Sequence, residues 1–292
     1  MTDIRFRKLV VFGVGLIGGS FAMALKKAAL VDHVVGVGRG RSNLERAVEL
    51  GVIDQIAATA EAALPGADLV LVAVPVQQTA RVFAAIAPHL EPDAVLTDGG
   101  STKRDVVEAA RSSLGLKLMQ FVPAHPMAGA ELSGVEAATA ELYWDRTVVL
   151  TPMGETGDEA RLKVDAAWRA CGARIVEMTA ARHDEIFAAV SHLPHALAFT
   201  FVEMLAGRDD AADLFALAGA GFRDFTRIAS SSPEMWRDIC LANSDALLAE
   251  IRAFQERLAT LAAEIESGDG ADIELSFELA RAARSKWLRS RQ

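Results

Sequence analysis

The sequence predicts an α/β domain with a mostly parallel sheet, followed by an all-α domain. Three observations carry this. Leu9-Val10-Val11-Phe12 is a short apolar run that breaks into Gly13-Val14-Gly15-Leu16-Ile17-Gly18-Gly19-Ser20 and resumes as a helical pattern through Lys26. Apolar strand-like runs then alternate with amphipathic segments as far as Met178, the pattern of a βαβ chain. From about Ala180 the pattern is helical only. With 292 residues, the chain divides by these patterns into residues 1–179 and 180–292, each long enough for its own core.

The first element reads as strand, tight turn and helix start. Gly13 allows the turn, Gly15 lets the backbone approach a pyrophosphate, and Gly18 lets the helix pack closely on the strand. The N–H groups of Leu16 and Ile17 at the helix start, with the helix dipole, favour a phosphate. A purely structural turn is the alternative. The context of strand before and helix after favours a Rossmann-like dinucleotide site. The second strand, Val34-Val35-Gly36-Val37, ends about twenty residues beyond the fingerprint, where NAD-binding folds place an acid for the ribose hydroxyl. Gly38 stands there, followed by Arg39-Gly40-Arg41-Ser42. Two guanidinium groups and a hydroxyl suit a 2′-phosphate, so NADP is the expected cofactor, with NAD as the alternative. A solvated basic loop would carry the same residues.

Asn43–Leu50 reads as a helix and Gly51–Ile56 as a connection or short strand. Ala67–Pro75 is apolar enough for a strand buried on both faces, which sets Val74 and Pro75 at the cofactor edge. Thr79–Leu90 is an amphipathic helix and Ala94–Asp98 a strand. Ser101-Thr102-Lys103-Arg104-Asp105 opens the next helix, with Ser or Thr as its cap, and it too lies at a strand end. Lys117–Val122 is the next expected strand. It leads into Pro123-Ala124-His125-Pro126, where flanking prolines predict a stiff loop that holds the imidazole. His125 is suited to general-base chemistry, with a serine or carboxylate fixing its tautomer. Thr147–Leu150 and Ala173–Met178 are strands separated by the helix Asp158–Cys171. The helical region comprises His183–Leu205, Ala211–Leu217, Pro233–Ala263 and Ile273–Arg289. Pro194, within Ser191-His192-Leu193-Pro194-His195, predicts a kink or broken turn. Gly219-Ala220-Gly221-Phe222-Arg223-Asp224-Phe225-Thr226-Arg227 is a glycine interruption that sets Asp224 beside Arg227, a candidate carboxylate clamp.

Composition narrows the rest. The formal net charge of -9 disfavours nucleic-acid and anionic-membrane surfaces while leaving room for a local basic pocket. No run reaches the roughly 18 to 20 consecutive apolar residues of a membrane span. The N-terminus reaches the first strand directly, so a cytoplasmic protein without a cleaved leader is expected. Cys171 and Cys240 lack metal or redox spacing, and no metal is expected. His192 and His195 share a helix face, with anion binding or simple burial preferred to a metal pair.

Taken together, the glycine fingerprint, Asp98-Gly99-Gly100-Ser101-Thr102-Lys103, His125-Pro126-Met127-Ala128-Gly129, Ser191–His195 and Gly221–Arg227 resemble the prephenate dehydrogenase family, which includes arogenate and cyclohexadienyl dehydrogenases. The resemblance covers nearly the whole chain. It implies oxidative decarboxylation of prephenate to 4-hydroxyphenylpyruvate, or of arogenate to tyrosine, with hydride transfer to NAD(P). It implies His125 as the proton acceptor for the ring hydroxyl, and Ser101 bonding that hydroxyl or orienting the imidazole. Arg227 would pair with a substrate carboxylate, supported by His195 and Asp224, with Glu131 at the pocket mouth. A homodimer through the helical domain is implied, with Trp236 reaching the partner's site. Three positions depart from the pattern: Gly38, Ala130 beside Glu131, and Ala220 where a third glycine is common. The first favours NADP, and the second bears on a keto against an amino side chain on the substrate. A monofunctional enzyme is expected. The competing readings are a 3-hydroxyacid or imine reductase, which joins similar domains without a required His at position 125, and a non-catalytic NADPH-binding regulator.

Overall fold

Phe6–Phe12 forms β1, the centre of a six-stranded sheet, in a computed structural model that describes residues 4–129 and 134–290. Its neighbours are β2 (Val31–Val37), β3 (Gln55–Ile56), β4 (Leu69–Val72), β5 (Val95–Asp98) and β6 (Phe121–Val122). The order is β3-β2-β1-β4-β5-β6 and every pairing is parallel, as the α/β alternation predicts. Strand order reverses at β1, which creates a crevice at the carboxyl ends of β1 and β4. The register aligns those ends: Val37, Phe12, Val72 and Asp98 are successive partners. Gly38, Gly13, Ala73 and Gly99 therefore follow in a row along one sheet edge.

The sheet is buried on both faces because β1 alternates between two cores. Leu9 and Val11 join Phe21, Leu25, Leu69, Leu71, Tyr143 and Trp168, whereas Val10 and Phe12 join Val70, Val72, Phe83, Ile86 and Phe121. Helix α1 (Leu16–Lys27) covers the first face. Its Phe21 ring lies 4.5 Å from Trp168, and the Tyr143 hydroxyl donates to the Ile17 carbonyl at 2.6 Å. The first turn of α1 is thus pinned from below. Around the sheet run α2 (Arg41–Glu49), α3 (Ala60–Ala63), α4 (Thr79–Ile86) and α5 (Arg104–Leu114).

Three local expectations are corrected. Of Lys117–Val122, only Phe121 and Val122 are strand, because residues 115–120 form a 3₁₀ turn in which Lys117 Nζ caps the carbonyls of Ala87 and Leu90 at 2.7 and 2.8 Å. His125 is on a strand, not a loop: β7 (Ala124–Pro126) pairs antiparallel with β8 (Thr147–Leu150), and β8 pairs parallel with β9 (Arg174–Glu177). Helix α6 (Asp158–Ala170) links β8 to β9. Finally, neither Ser101 nor Thr102 caps α5. The carboxylate of Asp184, eighty residues on, accepts from the backbone N–H groups of Lys103 and Arg104 at 2.8 and 2.9 Å.

Asp184 lies on α7 (Ala180–Phe187), which continues through one π turn (Ala188–His192) into α8 (Leu193–Ala206). Pro194 explains the π turn: without an N–H it cannot close a normal α-helical bond, and the helix widens instead of breaking. The 27-residue stretch Ala180–Ala206 is long and apolar enough to cross a membrane by length and composition, which the consecutive-run count does not register. Within the protein it buries His183, Asp184, Phe187, Ala188, His192 and Ala198. Then come α9 (Ala211–Ala216), α10 (Ala220–Thr226), α11 (Pro233–Ala242), α12 (Ser244–Ser267) and α13 (Gly270–Arg289). Gly221 and Phe222 are helical, and Asn243 divides the long helix expected from Pro233 to Ala263. Packing gives two compact units, Met1–Ser244 and Asp245–Gln292.

Candidate active site

Each fingerprint glycine has its own geometry. Gly13 has φ +95°, and a Cβ there would approach the Ala73 carbonyl oxygen to 2.3 Å. A Cβ on Gly18 would come within 2.2 Å of the Gly13 oxygen, so the helix can lie on the strand only without one. At Gly15 a Cβ would meet nothing within 4 Å. That open space lies directly before α1, whose first turn carries no acid and whose N-cap makes no side-chain bond. Space, free N–H groups and dipole together fit a pyrophosphate. Asn43 steadies the turn by donating to the Val14 carbonyl at 2.6 Å. Val74, half-buried, and Pro75, exposed, lie just past β4. Gly38 and Arg39 are exposed between β2 and α2, Arg41 and Ser42 are exposed in the first turn of α2, and Arg41 Nε donates to Glu45 at 2.7 Å.

Gly99 joins this cradle to the histidine. A Cβ there would lie 2.9 Å from Ile17 Cγ2 on one side and 3.8 Å from the Pro126 ring on the other. Beneath, the fully buried Lys103 ammonium pairs with Asp98, which also accepts from the N–H groups of Gly100 and Ala124 at 2.8 and 2.9 Å. This pair fixes the backbone on which His125 sits. His125 Nδ1 meets His183 Nε2 at 2.8 Å, and His183 Nδ1 meets Asp184 Oδ1 at 2.7 Å. The Phe187 ring packs 4.8 Å from His125. Burial, then the charges of His183, Lys103 and His192, hold the His125 pKa well below the ordinary imidazole value. A half-buried imidazole whose pKa is held low, beside a dinucleotide cradle, is equipped to accept a proton. No hydrogen bond joins Ser101 to His125, and the imidazole is oriented by His183 instead.

A second group lies on the π turn, the start of α8, and α11 with its C-cap. His192 is buried, with Nδ1 3.2 Å from Asn243 Nδ2, and burial foremost lowers its pKa to about 4. His195 stacks on Trp236 of the same chain, centroids 3.7 Å apart, and its Nδ1 bonds the Ser191 carbonyl at 2.8 Å. Burial depresses the His195 pKa, and Arg227 is close enough to add to that shift. Arg227 begins the 3₁₀ turn after α10 and is exposed. The side chain of Asp224 faces solvent 3.9 Å from Arg223. Ala130 and Glu131 lie outside the described residues. Sequence reasoning did not single out His183, Asp184, Asn243 or the Asp98–Lys103 pair for the site. The available signals were an acid and a base at one strand end, and adjacent His-Asp at a helix start.

A glycine cradle with an imidazole beside it is the arrangement of an oxidoreductase of the dinucleotide-binding α/β class. The chain belongs to the prephenate dehydrogenase family: the model of that family's nucleotide-binding domain matches residues 21–177, and the model of its dimerization domain matches residues 179–279. Among curated relatives, cyclohexadienyl dehydrogenase of Zymomonas mobilis is 36% identical over 96% of this chain and 95% of its own length. Prephenate dehydrogenase of Bacillus subtilis is 35% identical over 94% of this chain and 74% of its own length. Among solved structures, prephenate dehydrogenase from Aquifex aeolicus, in complex with hydroxyphenyl propionate and NAD+, superposes with a TM-score of 0.90 at 33% identity, covering 96% of this chain and 98% of that one. Synechocystis arogenate dehydrogenase follows with a TM-score of 0.81 at 28% identity, covering 96% and 99%.

Proposed function

We propose that this chain catalyses the oxidative decarboxylation of prephenate, arogenate or both, with NADP preferred over NAD. The observation that carries the reading is the His125 imidazole, in 2.8 Å contact with His183 and held beside the glycine cradle, where burial keeps its pKa well below the ordinary value. When bound, the nicotinamide would supply the hydride acceptor for the ring carbon that bears the hydroxyl. His125 Nε2 takes the hydroxyl proton as that carbon becomes a carbonyl. The ring carboxylate leaves as carbon dioxide, its bonding pair enters the ring, and the oxygen recovers a proton from His125 as the phenol forms. Aromatisation drives the sequence.

In this reading Ser101 bonds the reacting hydroxyl, and Arg227 pairs with a substrate carboxylate beside His195 and Trp236. Asp224 and His195 support Arg227, and the family resemblance assigns Ala130 and Glu131, which lie outside the described residues, to substrate binding. Gly13, Gly15, Leu16, Ile17, Gly18, Val74 and Pro75 hold the cofactor, and Arg39, Arg41 and Ser42 receive its 2′-phosphate. Residues 1–179 form the NADP-binding domain, and residues 180–292 the dimerisation and substrate domain of a cytoplasmic homodimer. The exposed position of Gly38 and the arginines supports the cofactor assignment. Initial rates with prephenate and arogenate, each with NAD and NADP, test the whole. Turnover of one or both with NADP is expected, and no turnover in any combination overturns the reading.

A further inference from the structure

We propose that His183 and Asp184 are positioning residues that lock His125 in the Nδ1–H tautomer, so that its Nε2 lone pair is the one presented for proton transfer. This rests on the reading of His125 as the proton acceptor. The deduction runs inward from Asp184. Its two carboxylate oxygens already accept from the backbone N–H groups of Lys103 and Arg104, and Oδ2 also accepts from Arg104 Nε at 3.2 Å. A carboxylate fixed by three donors acts as an acceptor, and its partners hold its pKa below the ordinary value despite burial. His183 Nδ1 must therefore carry the proton in the 2.7 Å contact with Asp184. His183 is fully buried, and burial lowers its pKa, so it is neutral and its Nε2 is an acceptor. The 2.8 Å contact is then satisfied only with His125 Nδ1 as donor, which leaves His125 Nε2 bare.

The relay also has an electrostatic consequence. Lys103, Asp98, His183, Asp184 and His192 are the charged or titratable groups acting on the pair. When His125 takes up the substrate proton, its Nδ1–H points at a ring polarised by the Asp184 carboxylate, so the new imidazolium has a partner. Asn243 closes the far end: its Nδ2 donates to the Asp184 carbonyl at 2.8 Å, and its Oδ1 accepts from Arg104 at 2.9 Å. The cap of α5 and the orientation of the imidazole are thus functions of one side chain.

The test is nitrogen NMR of the ¹⁵N-histidine-labelled full-length protein, with resonances assigned from single-histidine variants. The expected spectrum at neutral pH shows His125 and His183 both protonated at Nδ1 and bare at Nε2. A proton on His125 Nε2 overturns the proposal, and this holds even if every His183 variant fails to fold. As a second arm, His183→Phe removes the acceptor and should lower kcat about 10- to 100-fold, with the substrate KM and cofactor Kd little changed. His183→Gln restores an acceptor oxygen and should recover most of that loss. Equal kcat in wild type and His183→Phe overturns the proposal. Failure of the underlying reading shows separately, as undiminished turnover in His125→Asn with the wild-type tautomer spectrum of His183 retained.

Discussion

At the residue scale His125 owes its character to what surrounds it. Burial disfavours its charged form, and the fixed Lys103 ammonium pushes the same way, so the neutral form persists into mild acid. His125→Asn should keep cofactor affinity and lower kcat roughly a hundredfold or more, since a positioned base contributes about 10² to 10⁴. Titration of the cofactor against that variant, with steady-state rates, checks both halves. The histidines also link stability to pH. His192 is lowered to about 4, so below its ordinary value of about 6.5 the unfolded chain binds a proton that the folded chain refuses. Stability therefore falls as pH drops from about 6.5 toward 4, at up to roughly 1.4 kcal/mol per pH unit from this residue. Urea midpoints that stay constant across that window would contradict the assignment. Arg227→Lys should mainly raise the substrate KM, because an ammonium cannot reproduce the guanidinium fork.

At the element scale the glycine turn separates folding from binding. Gly15→Ala places a methyl in open space, so melting should be unchanged while dinucleotide affinity falls at least about tenfold through the blocked approach. Gly18→Ala drives a methyl against the Gly13 carbonyl and should lose on the order of 1–3 kcal/mol of stability as well. Parallel losses in both variants would defeat the distinction. The proposed cofactor preference rests on the turn that leads from β2 into α2. At Gly38 a Cβ would meet Leu44 only at ordinary contact distances of 3.5–3.8 Å, so Gly38→Asp fits without strain. Combined with Arg39→Ala, it should reverse a preference for NADP over NAD that is at least tenfold in kcat/KM for the parent. A parent that already prefers NAD would mean that the Arg39–Ser42 loop is solvated surface. The glycine turn was legible in the sequence because its chemistry is local. Asp184 capping α5 was not, since donor and acceptor stand eighty residues apart and Ser101 and Thr102 offered a nearer, plausible cap. His125 was legible as a residue but not as part of a strand, because its pairing with Val149 depends on a second sheet that no local pattern announces.

At the scale of the whole molecule the helices from Asp245 onward cannot be explained by their own packing. Helices α12 and α13 are 24 and 20 residues long, yet Leu247 is the only buried side chain among the described residues of that unit. Phe254, Leu258, Ile265, Leu275, Phe277, Leu279, Trp287 and Leu288 are all exposed. Isolated helices in water gain little from propensity alone, and most of their stability comes from burying an apolar face. Apolar side chains spread along both helices exceed the single exposed residues that ordinary surfaces tolerate, as on a face that another chain covers, and the proposed homodimer would cover it. The match of residues 179–279 to a dimerization domain agrees with that demand. The 31.1 kDa chain is therefore expected to sediment at about twice its mass at micromolar concentration. Leu258→Glu with Phe277→Glu should shift it toward monomer and make melting strongly concentration-dependent, because a carboxylate buried without a partner costs several kcal/mol. If the parent chain sediments as a monomer, or the double variant stays a dimer of unchanged stability, these helices do not form the subunit interface.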